Sequence, residues 1–171
     1  MTDELPAEAR DAFAAHEAFE ADGSGYRLTT TDFDTTVTAS EREDYATDFE
    51  VQIIVPTLKG AVVEGEVGDA VQQGWLETFE RRLEDVTMAT RASVELDGFA
   101  VESDEESVVV TYEFSYGDAE RAAAIAKTFV EYVEGTYVEG VVPGYTYGEP
   151  VKTLLGAAAT GNDGERGGTP L

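Results

Sequence analysis

His16 is the only histidine of the chain, and a side chain that titrates near neutrality is the natural general base. A base needs a positioned nucleophile, and the sequence offers no cysteine and no strained serine elbow of the G-x-S-x-G kind. His16 also falls on the apolar stripe Ala9, Phe13, His16 and Phe19, where a packed, hydrogen-bonded ring is the plainer expectation. One histidine and no cysteine rule out a His- or Cys-rich zinc centre. The sharpest spacing is Glu20-Ala21-Asp22-Gly23-Ser24-Gly25-Tyr26. Oxygens at its first, third and fifth positions, with glycine at the sixth, match the opening half of an EF-hand loop, which makes Glu20, Asp22 and Ser24 candidate calcium ligands. Thr31 stands where the bidentate Glu belongs, and Arg27 replaces the apolar residue at position eight. The competing expectation is a turn rich in Gly and Asp that closes a helix.

Carboxylates are too abundant to single out an acid/base pair, so no catalytic residue is assigned. Gly60, Gly65 and Gly68 form neither a G-x-G-x-x-G fingerprint nor a phosphate loop, and no cofactor is expected. Binding chemistry is better represented. Trp75, Tyr137, Tyr145 and Tyr147 are large amphipathic rings, the three tyrosines interleaved with Gly140, Gly144 and Gly148. Such side chains are enriched at interfaces, and these four are the candidate partner-binding residues. The alternative is that the tyrosine-bearing stretch wraps back and completes the core.

The elements that must position these residues follow from periodicity. A first helix is predicted over Pro6–Glu20, ended by Asp22-Gly23-Ser24-Gly25. Tyr26–Ala39 reads as one strand, or as two turning near Thr31-Asp32, and Ser40–Asp44 as a charged turn. Phe49, Val51, Ile53 and Val55 alternate with Glu50, Gln52 and Ile54, the period of a half-buried strand, and Pro56 closes it. Ala61-Val62-Val63 suggests a short extended piece. Asp69 is the expected cap of a helix reaching about Asp85, with Val71, Trp75, Phe79 and Leu83 on its buried stripe. Gly74, beside Trp75, would let another element approach closely. Arg91–Val101 reads as a strand with a turn at Asp97-Gly98, and Ser103–Glu106 as the loop leading into the strand Ser107–Tyr116. Asp118 should cap a third helix ending near Gly135. Residues 156–171, rich in Gly and without hydrophobic period, read as a disordered tail behind a single domain of residues 1–155. The class is α+β: an antiparallel sheet of about five strands with three helices, in the order α-βββ-α-ββ-α.

Charge is the unusual part of the composition. Thirty-six acids face eleven bases, a net charge of −25 over 171 residues, and lysine occurs only at Lys59, Lys127 and Lys152. The acids are spread between apolar positions, the pattern of a folded domain coated in carboxylate. Such a surface repels itself unless salt screens it, which points to the cytoplasm of a salt-accumulating halophile. Only Arg81-Arg82 are adjacent basic residues, so nucleic acid is not an expected partner. No run approaches the ~20 apolar residues of a membrane span, and the N-terminus lacks the apolar core of a secretory signal.

Two resemblances accompany these readings. The element order is similar to the type III secretion chaperone-like architecture, which implies a small, acidic, dimeric protein. The segments Phe19–Thr31 and Tyr132–Tyr145 resemble an uncharacterised haloarchaeal family, a domain of unknown function; this resemblance carries no activity with it. The expected function is a non-enzymatic protein-interaction or adaptor module binding a protein partner or a second copy of itself. The alternative is a small-molecule-binding domain or enzyme whose pocket, between sheet and helices, would use Trp75, His16 and tyrosines.

Overall fold

The computed structural model describes residues 6–23, 25–41 and 47–157. Helix α1 (Ala7–Ala15) is followed by four strands: β1 (Phe19–Asp22), β2 (Gly25–Leu28), β3 (Asp34–Glu41) and β4 (Thr47–Pro56). A single-turn helix, α2 (Leu58–Ala61), leads into β5 (Val62–Glu64) and then α3 (Asp69–Leu83). After a 3-10 turn at Val86–Ala89, β6 (Leu96–Ser103) and β7 (Ser107–Tyr116) form a hairpin, and α4 (Ala119–Glu139) follows. The chain returns through β8 (Thr146–Tyr147) and a last helix, α5, over residues 151–157. The main sheet has the order β1-β2-β3-β4-β7-β6 with every neighbour antiparallel, and β5 pairs with β8 as a separate ribbon. The class is α+β.

Alternation decides which way the sheet faces. Phe49, Val51, Ile53 and Val55 of β4 lie opposite Phe114, Tyr112, Val110 and Val108 of β7, and all eight are buried. Their neighbours Glu50, Gln52, Ile54, Thr111 and Glu113 point to the other face, which no helix among the described residues covers. On the covered face α4 contributes Ala122, Ile125, Ala126, Phe129 and Val133. The Phe129 ring meets Tyr112 at 5.3 Å and Phe114 at 5.4 Å, and Phe49 stacks on Phe114 at 5.3 Å. These rings fill the space between sheet and α4. Asp118 caps α4 as expected, its carboxylate accepting the Arg121 N–H.

A polar joint locks the far end of the sheet. Thr57, fully buried, accepts the Gly60 N–H at 3.0 Å and donates to the Glu105 carbonyl, while its own N–H donates to the Glu106 carbonyl at 2.9 Å. The Gln72 side chain accepts the Lys59 N–H and donates to the Glu105 carbonyl. So α2, the start of α3 and the β6–β7 turn meet at one point, close enough that a Cβ on Gly60 would lie 2.2 Å from the Glu106 carbonyl oxygen.

Several boundaries differ from expectation. The first helix ends at Ala15, because His16 is already extended and Phe19–Asp22 pairs with β2. Phe19 still packs its ring on Phe13 at 4.7 Å, so an apolar stripe alone could not separate helix from hairpin. Gly68, not Asp69, is the cap residue of α3, and the Asp69 carboxylate pairs with Lys59 instead. Val71 is exposed, off the buried face carrying Trp75, Phe79 and Leu83. Helix α4 runs through Gly135 to Glu139, since Thr136 and Tyr137 still have core to bury. β6 starts at Leu96, with its register shift between Leu96 and Gly98. Residues 156–157 complete α5; residues 158–171 of the expected tail, and most of the turn expected at Ser40–Asp44, lie outside the described residues.

Candidate functional site

α3 carries two parallel rows. Trp75 and Phe79 turn inward and stack on each other at 5.2 Å, and both meet the Tyr137 ring edge-on at 5.7 Å. Ala70, Gly74 and Thr78, with Arg82 one turn further on, form a row of mostly small residues beside them. The end of α4 and the segment after it supply the opposite wall: Thr136, Gly140 and Val142. Between the two walls is a groove of about 290 Å³ lined by Ala70, Val71, Gly74, Trp75, Thr78, Phe79, Arg82, Thr136, Gly140 and Val142. The C-terminal end of the groove is pinned. The Tyr132 hydroxyl donates to the Arg82 carbonyl at 2.7 Å, and the Arg82 guanidinium lies 3.8 Å from the Glu139 carboxylate.

Two polar groups open onto this groove. Trp75 and Thr136 are each only 6% exposed, and neither the indole N–H nor the threonine hydroxyl has a hydrogen-bond partner among the described residues. The indole nitrogen sits beside Gly140, where a Cβ would approach it to 4.0 Å. Both atoms keep access to water through the groove, as no side-chain polar atom among the described residues is sealed without a partner. Burial, with Tyr147 nearby, raises the Tyr137 hydroxyl well above the usual tyrosine range, so it stays protonated at any physiological pH.

Gly74 is the odd residue here. It lies in the middle of α3, and a Cβ built on it would meet nothing within 4 Å. The expected approach of another element of the chain does not occur; the space is the groove itself. A helix-interior glycine is less stable than alanine by roughly 0.5–1 kcal/mol. Gly74→Ala should therefore raise the unfolding free energy by about that amount, measurable by chemical denaturation in molar salt. A loss of stability would show that the groove is narrower than described.

The other sequence candidates lie elsewhere. Tyr147 lies in β8, paired with Val62, and Tyr145 just before it: the Tyr145 ring covers Gly65, which has φ of 111°, and the Tyr147 hydroxyl donates to the Val142 carbonyl. Of the four aromatic candidates, Trp75 and Tyr137 come together. His16 accepts the Ala18 N–H on Nδ1 at 3.2 Å and packs edge-on to Phe19, with no hydrogen bond or ring contact to Trp75. Glu20 and Asp22 are on β1 rather than after a helix, Glu20 lies 3.8 Å from Arg27 across the hairpin, and Ser24 is outside the described residues. No group of three or more His, Asp or Glu side chains able to hold a metal occurs among the described residues. A second hollow, of about 510 Å³, lies on the open sheet face between Thr38, Ser40, Asp48, Glu50, Asp97 and Glu113.

An antiparallel sheet, helices packed on its apolar face and a small groove between α3 and the end of α4 define an α+β domain. The chain belongs to a family of unknown function, DUF5813, whose model matches residues 14–157. No curated protein and no solved structure matches it. No helix among the described residues is long and apolar enough to cross a membrane.

Proposed function

We propose that this protein is a non-enzymatic interaction module whose groove between α3 and the end of α4 takes an apolar side chain of a partner protein. Gly74 carries the reading. It weakens its own helix and lies on the groove wall, where a Cβ would meet nothing among the described residues, so the space beside it is open to a partner. The groove is the right size for one or two side chains, and its floor is a rigid aromatic cluster of the kind that anchors interfaces. Setting aside the extra edge strand β1 and the short α2–β5 insertion, the order through α4 is α-βββ-α-ββ-α. That order supports a chaperone-like adaptor, by the resemblance noted above. The setting we infer is the cytoplasm of a halophilic archaeon, supported by the net charge of −25 and the three lysines.

The test is selection from a library of short peptides in molar potassium chloride, against the parent protein and a groove-blocked Gly74→Phe variant shown by circular dichroism to stay folded. Peptides rich in apolar residues that enrich on the parent and are lost on the variant are the expected result. Enrichment that is equal on both proteins, or absent from the parent, overturns the assignment. A small molecule occupying the groove is the remaining reading, favoured by the polar groups of Trp75 and Thr136, which have no hydrogen-bond partner among the described residues.

A further inference from the structure

The polar groups of the groove are matched to one kind of ligand atom. The Trp75 indole can only donate, the Arg82 guanidinium can only donate, and the Thr136 hydroxyl is free to do so. An occupant that uses the indole and guanidinium donors presents oxygen acceptors beside an apolar body, while the Thr78 and Thr136 hydroxyls can serve either way. Trp75 and Thr136 are more than nine-tenths buried and have no hydrogen-bond partner among the described residues, so a ligand oxygen entering the groove would replace water at their polar atoms. At the C-terminal end of the groove stands Arg82, one of eleven basic residues in a chain of net charge −25, directly after Arg81. Its pairing with Glu139 is long, at 3.8 Å, and exposed on both sides, so the guanidinium can turn toward an anion at little cost.

Resting on the interaction reading, we infer that the groove captures the C-terminal carboxylate of a partner chain whose last residue is apolar. The end of a polypeptide places an apolar side chain and a carboxylate on the same carbon, which suits a groove of about 290 Å³ with an apolar floor and donors along one edge. The side chain lies on Trp75 and Phe79. The carboxylate lies against the indole N–H, the Thr136 hydroxyl and Arg82.

Trp75 is the only tryptophan, so its fluorescence reports on this groove alone. The full chain is titrated in molar potassium chloride with N-acetyl-Ala-Ala-X peptides, X being Leu, Ile, Val or Phe, each as the free acid and as the C-terminal amide. The apolar acid 4-methylpentanoate is run beside them. At least one free-acid peptide should shift the emission saturably, with its amide binding about tenfold more weakly, the size of a lost charged hydrogen bond. Arg82→Gln should abolish the difference between acid and amide while leaving the melting temperature nearly unchanged. Equal affinity for acid and amide overturns the carboxylate inference but leaves the interaction module standing. Binding of 4-methylpentanoate as tight as that of the peptides overturns the chain-end assignment in favour of a small acid. Failure of every peptide overturns the inference, while the library selection decides the broader reading on its own.

Discussion

Transfer from molar potassium chloride to about 0.1 M salt is expected to unfold this protein, or to lower its melting temperature by tens of degrees. The net charge of −25 is carried by a chain of 171 residues, and the Debye length grows from ~3 Å at 1 M to ~10 Å at 0.1 M. At the shorter length each carboxylate senses little beyond its immediate neighbours. At the longer one, charges across a whole face repel together, against a total stability of only ~5–15 kcal/mol for a domain of this kind. Local crowding is already visible: Glu50 and Glu113 are direct cross-strand partners on the open face, an arrangement of like charges that destabilises a sheet. Burial raises the Glu134 carboxyl above its ordinary value, with Asp32 and Glu131 adding to the shift. Melting followed by circular dichroism and by Trp75 fluorescence across a potassium chloride series checks the expectation. A midpoint that does not move with salt would remove the halophilic reading and return the acids to the list of functional candidates.

Gly60→Ala is expected to destabilise the fold by about 1–3 kcal/mol, near the upper end of that range. The direction is informative, because the same change in an unobstructed helix stabilises, as it should at Gly74. A methyl group on Gly60 would sit 2.2 Å from the Glu106 carbonyl oxygen and 3.0 Å from its carbon. Those are backbone atoms, unable to swing aside as a side chain does. Relief means pushing the β6–β7 turn off α2, which lengthens the bonds from Thr57 to the Glu105 and Glu106 carbonyls. Thr57 is fully buried, so water cannot replace what is lost. Urea unfolding of Gly60→Ala and Gly74→Ala side by side, in molar salt, should give midpoints on opposite sides of the parent. A stabilised Gly60→Ala would mean the turn does not dock on α2 as described.

The parts of the fold legible in the sequence are those whose burial is local and periodic. β4 and β7 showed themselves by strict alternation, and α4 by its stripe and its Asp118 cap. β1 did not, because Phe19 extends the spacing of Ala9, Phe13 and His16 as a further helical turn would, whereas in the fold it packs on Phe13 from a strand. α4 outran its expected end because glycine stops a helix only where continuing buries nothing, and Tyr137 had Trp75, Phe79 and Phe33 to meet. β8 and α5 depend on β5 and on the core for their places, and their own short sequences carry no period. The groove was half legible. Gly74 and Trp75 stand out as neighbours in a helix, but Thr136, Gly140 and Val142 come from a distant part of the chain and look ordinary there. Arg82 gains meaning only from standing beside that wall.

The exposed face of the sheet has a consequence for behaviour in solutions of high ionic strength. Once salt has screened the long-range field, like charge no longer keeps molecules apart, and one sheet face can approach another. Here the middle of the bare face holds Glu50 opposite Glu113, whose carboxylate lies over Gly98 at the irregular edge of β6. Laying a second sheet on it would strip the hydration shells from both carboxylates, a penalty that salt does not screen away. In brine, then, colloidal stability on this side of the molecule depends on tightly held water rather than on repulsion between charges.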